Sequence, residues 1–153
     1  MMRGGQSVSD AQLQQILTDV PKIINDPQAA ELLILQAQTL GKRLAEEKVG
    51  MTQLRDVFDE LSLIADLLTW KRQPILAFRR LHLLKPKLVW RATRNEELKP
   101  LAAVLAKAID EVVKAGDEGE RRARFGRLRE FMEAIVAYHK YHEQAQRAST
   151  TRR

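Results

Sequence analysis

The three histidines are the side chains with the clearest potential for catalysis or metal binding near neutral pH. They are His82, His139 and His142. Because His139 and His142 are three residues apart, both reach one ion if they lie on a helix, but a third ligand would have to be His82 or a distant acid. A histidine working with a lysine would also make a ribonuclease conceivable. Histidines so spaced are more often polar members of a packed helix face, and we predict no catalytic site, no metal site and no cofactor.

Most other signatures of enzymes are missing from the sequence. There is no cysteine, which excludes a thiol nucleophile, a disulfide framework and a cysteine zinc site. The motifs GxGxxG, GxxxxGK[ST], GxSxG and HExxH do not occur. Nothing resembles an RRM aromatic signature or a zinc finger. These exclusions favour a binding protein over an enzyme.

The basic residues are concentrated in one segment. The chain of 153 residues has 26 Lys and Arg against 20 Asp and Glu, a net charge of +6. Eight of the basic residues lie within residues 71–94, no acid occurs within residues 67–95, and the remainder has 18 basic and 20 acidic residues. The eight are Lys71, Arg72, Arg79, Arg80, Lys85, Lys87, Arg91 and Arg94. Because solvated helices usually mix charges of both signs, this imbalance predicts a polyanionic ligand, most simply a nucleic-acid backbone.

The spacing within this segment places several cations on one helix face. Lys87, Arg91 and Arg94 follow i, i+4, i+7, so neighbours on that face are roughly 5–6 Å apart along the axis and can track successive phosphates. Arg79 and Arg80 extend the patch. Trp90 lies off this face, and its residue type favours packing against a neighbour over stacking on a base.

A second, weaker basic concentration lies further along the chain. It consists of Arg121, Arg122, Arg124, Arg127 and Arg129. Acidic residues flank this group on both sides, and its charges are therefore more balanced than those of the first segment.

The elements that must position these side chains are helices. No segment alternates apolar and polar residues, and the apolar spacing is that of helices. Ser9 is the predicted N-cap of a first helix that Pro21 ends or kinks. Asp26–Pro27 is a start signal for a second helix that ends near Lys48, and Thr52 is the predicted cap of a third.

The second half of the chain is predicted to be helical as well. Pro74 and Pro86 suggest two short helices, at about 74–84 and 86–95, with a bend at Lys85. Another helix begins or kinks at Pro100, and a last one runs from about residue 120 to about 145. We therefore predict an all-α fold, a single compact bundle of about five to six helices forming one domain over residues 1–153, with frayed ends at 1–8 and 147–153. The lack of an apolar leader or membrane span predicts a cytoplasmic protein.

Three segments together resemble a known family. They are MTQLRDVFDEL (Met51–Leu61), LKPKLVWRATR (Leu84–Arg94) and FMEAIVAYHKY (Phe131–Tyr141). In order and spacing they resemble the small, all-helical subunit of the type III-A CRISPR effector, the Csm complex, and the resemblance covers roughly residues 27–145. Typical members read SQIR where this chain has TQLR, and often have a tyrosine in place of Trp90.

The resemblance implies a non-catalytic subunit in antiviral defence. Several copies would stack beside the subunits that hold the guide RNA and would bind the backbone of single-stranded target RNA or of the guide–target duplex. On the matched segments it implies Arg55, Lys85, Lys87, Arg91, Arg94 and Lys140 as RNA-binding residues, whereas Arg79 and Arg80 rest on the charge argument alone. The partners implied are RNA, the other Csm subunits and further copies of the same chain.

Two alternatives remain from the residues themselves. One is a helical interaction module whose basic patch docks an acidic partner, and the other, less favoured, is the histidine-dependent ribonuclease. A swapped dimer is a further hypothesis for the isolated chain, because the flexible break at 116–119 would allow long helices to exchange between chains.

Overall fold

The computed structural model describes residues 7–151, and these residues contain six α-helices and one short 3-10 helix. The α-helices are α1 (Asp10–Asn25), α2 (Ala30–Glu46), α3 (Met51–Thr69), α4 (Pro74–Arg94), α5 (Lys99–Val113) and α6 (Glu118–Thr151), and the 3-10 helix, Glu96–Leu98, joins α4 to α5. The predicted all-α fold of five to six helices is confirmed.

The longest helix, α6, packs against α2 over the most extensive interface in the bundle. Apolar residues spaced three and four apart on α6 are buried, and Phe131 and Ile135 are inaccessible to solvent. The two helices approach closely at Gly41, where a Cβ atom would lie 2.8 Å from the backbone nitrogen of His139. Any larger residue at this position would push α2 and α6 apart.

The position of the basic segment on α4 depends on α3, which packs against both α4 and α6. The start of α3 lies beside the second half of α6, because His139 Nε2 is 2.6 Å from the carbonyl oxygen of Val49. The end of α3 lies beside the first half of α6, where Arg122 Nη2 donates to the carbonyl of Leu68 at 3.1 Å. The two helices are therefore antiparallel. Helix α4 packs mainly against α3 and α5, so it lies at the edge of the bundle.

Helix α4 is continuous, and the prediction of two short helices with a bend at Lys85 is wrong. Pro86 lies inside the helix. Its missing N–H removes the hydrogen bond that the carbonyl of His82 would otherwise accept. The same buried stripe continues on both sides of the proline, through Ala77, Leu81, Leu84, Leu88 and Ala92. Packing of this stripe favours one continuous helix over the local preference for a break. Pro21 likewise lies inside α1 and does not end it.

Two predicted helix starts also need correction. Ser9 caps α1 as predicted, in a capping box with Gln12. Asp26 instead ends α1, and its carboxylate accepts from the N–H of Gln28 in the turn before α2. The N-cap of α3 is Gly50 rather than Thr52, and its N–H donates to the side chain of Gln53 at 2.9 Å.

The ends of the chain differ in part from the prediction. The predicted frayed ends include residues 1–6 and 152–153, which lie outside the described residues. Val8 is buried, and its N–H donates to Glu46 Oε1 at 3.0 Å. Helix α6 begins at Glu118 and continues to Thr151, beyond its predicted end near residue 145. Among the described residues, no helix has the length and apolar character needed to cross a bilayer.

Candidate nucleic-acid interface

The inward and outward faces of α4 differ sharply in character. The inward stripe is buried against α3 and α5, including Leu84 (3 % exposed), Leu88 (3 %) and Ala92 (6 %), as predicted. The remaining sectors of the helix carry its cations. The sequence places no acid on α4 at all. The helix therefore presents positive charge along the edge of the bundle.

Four of the predicted site residues on α4 have no carboxylate partner among the residues that the structure describes. Arg79, Lys87 and Arg94 are exposed and Arg91 is half-buried. Within residues 7–151, none of the four forms a salt bridge or a side-chain hydrogen bond. Because no described side chain neutralises these four cations, their charge is available to a ligand.

The other two predicted cations on α4 are bound within the fold. Arg80 makes two parallel hydrogen bonds to the carboxylate of Glu60 on α3, each 3.1 Å long. Lys85 pairs with Asp110 on α5. These pairs link α4 to α3 and α5. Because their charges are neutralised, Arg80 and Lys85 should attract a polyanion less strongly than Lys87 or Arg94.

Arg55 and Lys140 lie apart from the α4 cations. Arg55 is exposed and lines a groove with Val136 of α6, and Lys140 follows Val136 by one turn. The outward side of α3 carries three exposed acids, Asp56, Asp59 and Asp66. The structure thus divides the predicted site into an α4 group and an α3–α6 group.

Trp90 is exposed, and the prediction that it packs against a neighbour is wrong. Its side chain is 62 % exposed on the outward side of α4. It lies three residues after Lys87 and four before Arg94, so both cations are one turn away. The sequence could not indicate this exposure, because tryptophan is usually buried and only the packing of α4 against α3 and α5 decides which sector faces solvent.

His82 lies apart from the other two histidines, which are one turn apart on α6. His82 is exposed on α4, whereas His139 is inaccessible to solvent and its Nε2–H donates to the carbonyl of Val49. Burial lowers the pKa of His142, and the Lys42 cation lowers it further. In the part of the chain that the structure describes, no three His, Asp or Glu side chains are grouped as metal ligands.

The second basic segment, on α6, has a different role. Four of its arginines donate to main-chain carbonyls at the ends of other helices or in the turn after α5. Arg127 Nε donates to Ile24 (2.6 Å), Arg124 Nη1 to Glu111 (2.8 Å), Arg122 Nη2 to Leu68 (3.1 Å) and Arg121 Nη1 to Ala115 (3.0 Å). Carbonyls at helix C-termini lack intrahelical donors and carry partial negative charge, so these arginines stabilise the ends of α1, α3 and α5.

Comparison with known proteins gives one match. The sequence profile of the family described as Csm2 Type III-A matches residues 27–145. No curated protein and no solved structure matches the chain. The matched region spans most of the chain, from the turn before α2 into the second half of α6, and contains the whole of α4. The chain therefore belongs to the Csm2 family and is a small subunit of the type III-A CRISPR effector, the Csm complex.

Proposed function

We propose that this chain is a non-catalytic subunit that binds RNA by its phosphate backbone through the outward face of α4. The observation that carries the proposal is the group of unpaired cations Arg79, Lys87, Arg91 and Arg94 on a helix without an acid. A row of cations on a rigid helix suits a regular polyanion and does not distinguish one base from another. Arg80 and Lys85 contribute less, because carboxylates neutralise them.

Within the Csm complex the ligand would be single-stranded target RNA or the guide–target duplex, in antiviral defence. Arg55 and Lys140, at the α3–α6 groove, would contact the same RNA strand as the α4 cations or an adjacent stretch of that strand.

Several copies of the chain would stack beside the other Csm subunits, so weak contacts from each copy add along the RNA. Ile34 and Leu35, exposed on α2, support a subunit contact there because that helix lacks the basic surplus of α4. Sedimentation over a range of concentrations would measure self-association.

The double variant Lys87→Ala/Arg91→Ala tests the interface. RNA affinity should fall to a similar extent for all sequences. Each lost phosphate contact on a single strand lowers the slope of log K against log salt by about 0.7, so the slope should decrease by about 1.4. Affinity measured by fluorescence anisotropy at several salt concentrations gives both quantities.

A matched control is Lys22→Ala/Lys107→Ala. It makes the same change in net charge at exposed positions on α1 and α5. Its slope should stay at the wild-type value. If the α4 variant also keeps the wild-type affinity and slope, the RNA interface lies elsewhere and the proposal is wrong.

A further inference from the structure

Two parallel rows of side chains run along the exposed side of α4. One row is apolar and consists of Leu76 (41 % exposed), Leu83 (49 %) and Trp90 (62 %). The other is cationic and consists of Lys87 and Arg94, which are exposed, and Arg80, which is half-buried and paired with Glu60. Members of each row are seven residues apart, which is two helical turns, so each row stays on one side of the helix.

We infer that Trp90 is a base-stacking site for single-stranded RNA whose phosphates lie on the neighbouring cationic row, an inference that rests on the proposed function. Proteins that bind single strands without sequence preference combine a cationic track for the backbone with aromatic faces on which bases stack. The apolar row is offset from the cationic row by about 40° around the helix, the rotation of four residues at about 100° each. Bases of a strand on the cations would therefore face the apolar row, where Trp90 supplies an aromatic ring.

The surroundings of Trp90 favour RNA over a protein surface as the occupant. A protein that covered the indole would also cover the ammonium of Lys87 and the guanidinium of Arg94. Such a protein would have to supply its own carboxylates beside an apolar contact, since α4 has no acid to pair with these cations and burying them without partners would be costly. A single strand of RNA can pair with the cations and cover the indole at the same time, because its phosphates bind the cations while a base stacks on the ring.

The test compares RNA with a polyanion that has no bases. Trp90→Ala should weaken binding of a short oligouridylate about five- to tenfold, toward the lower end of the range for losing one base–aromatic stack. Binding of inorganic polyphosphate and the salt slope for RNA should not change. Trp90→Phe should retain most of the RNA affinity, since a smaller ring still stacks. Trp90 is exposed, so neither variant removes a core contact.

Tryptophan fluorescence provides an independent measurement of stacking, in which Trp70 serves as the control for Trp90. The chain has two tryptophans, and Trp70, which is 79 % exposed, lies at the end of α3, whereas Trp90 is about 24 Å along α4 from the first residue of that helix. In Trp70→Phe the remaining signal comes from Trp90, and the short oligouridylate should quench it. Polyphosphate should not quench it. In Trp90→Phe the signal of Trp70 should change much less.

The outcomes separate this inference from the proposed function. If Trp90→Ala binds RNA as the wild type does while Lys87→Ala/Arg91→Ala does not, stacking is wrong and the backbone interface stands. If Trp90→Ala weakens RNA and polyphosphate equally, Trp90 acts through the cations and stacking is again wrong. If the wild-type chain binds neither polymer, both proposals fail. A loss of self-association with unchanged RNA affinity would assign Trp90 to a protein contact.

Discussion

Two basic regions of this molecule place their cations differently. In the second basic segment, on α6, four arginines donate to carbonyls in or near the ends of α1, α3 and α5. The cations of α4 lie at the edge of the bundle, and four of them have no partner among the described residues. The difference lies in the neighbours of each helix. Helix α6 packs against α1, α2, α3 and α5, and the C-terminal ends of three of these lie nearby, whereas α4 packs mainly against α3 and α5 and leaves its other side exposed among the described residues. Local charge density therefore does not by itself identify a ligand surface.

If the α6 arginines stabilise the fold, removing one of them should lower the free energy of unfolding. Arg127→Ala removes the donor to the carbonyl of Ile24 and a contact with Glu120. Leaving a buried acceptor without its charged donor should lower the free energy of unfolding by about 1–3 kcal/mol. Urea denaturation followed by circular dichroism measures this change.

Arg129→Ala is the matched control for that change. Arg129 is on the same helix, is half-buried, and makes no ion pair or side-chain hydrogen bond within the described residues. Its replacement should alter the free energy of unfolding by no more than about 0.5 kcal/mol. Equal losses in the two variants would contradict the role assigned to the carbonyl contacts.

A single substitution on α3 would release a bound cation of α4. Glu60→Gln removes the carboxylate that holds Arg80. The free energy of unfolding should fall by less than about 1 kcal/mol, because the pair is partly exposed. RNA affinity should rise, with a salt slope steeper by up to about 0.7 as Arg80 becomes available to a phosphate.

Glu47→Gln controls for the change in net charge. Glu47 pairs with Arg43 on α2 and so lies outside the α4 interface. Its replacement should leave the salt slope unchanged. If both variants steepen the slope equally, net charge rather than the position of Arg80 determines RNA affinity.

The smallest expected effect is a difference in pH dependence between the two regions. Burial lowers the pKa of His142 on α6, where Lys42, Glu46 and His139 also act on it. The unfolded chain therefore binds a proton near pH 6.5 that the folded chain resists, and the free energy of unfolding should fall as the pH drops below about 6.5. Because His142 is on α6 and outside the α4 interface, its protonation should leave the phosphate contacts of α4 unchanged.

His142→Gln isolates this contribution. Urea denaturation between about pH 7.5 and about pH 5.5 should give a flatter profile for the variant than for the wild type. Identical profiles would show that His142 does not contribute to the pH dependence of folding.

Much of the fold and part of the candidate site were predictable. Apolar residues at intervals of three and four indicated the helices, and the stripe Leu84, Leu88 and Ala92 on α4 is buried as predicted. Element boundaries were less predictable where local and long-range preferences conflict. Pro86 should break a helix locally, yet the buried stripe on both sides of it keeps α4 continuous. Partners distant in the chain were not predictable either, because Glu60 and Asp110 lie 20 and 25 residues from the cations that they bind.

The sequence by itself determined that this chain is a helical bundle with its surplus charge in residues 71–94, since periodicity and composition are properties of the chain. The family was also recognisable from the sequence, because the order and spacing of its motifs are properties of the chain. Only the tertiary structure decided which cations are free, that Trp90 is exposed while His139 is buried, and that the arginines of α6 stabilise the ends of other helices. The physical reason is that ion pairing and burial depend on distances across the bundle, which packing of the helices creates and spacing along the chain does not specify.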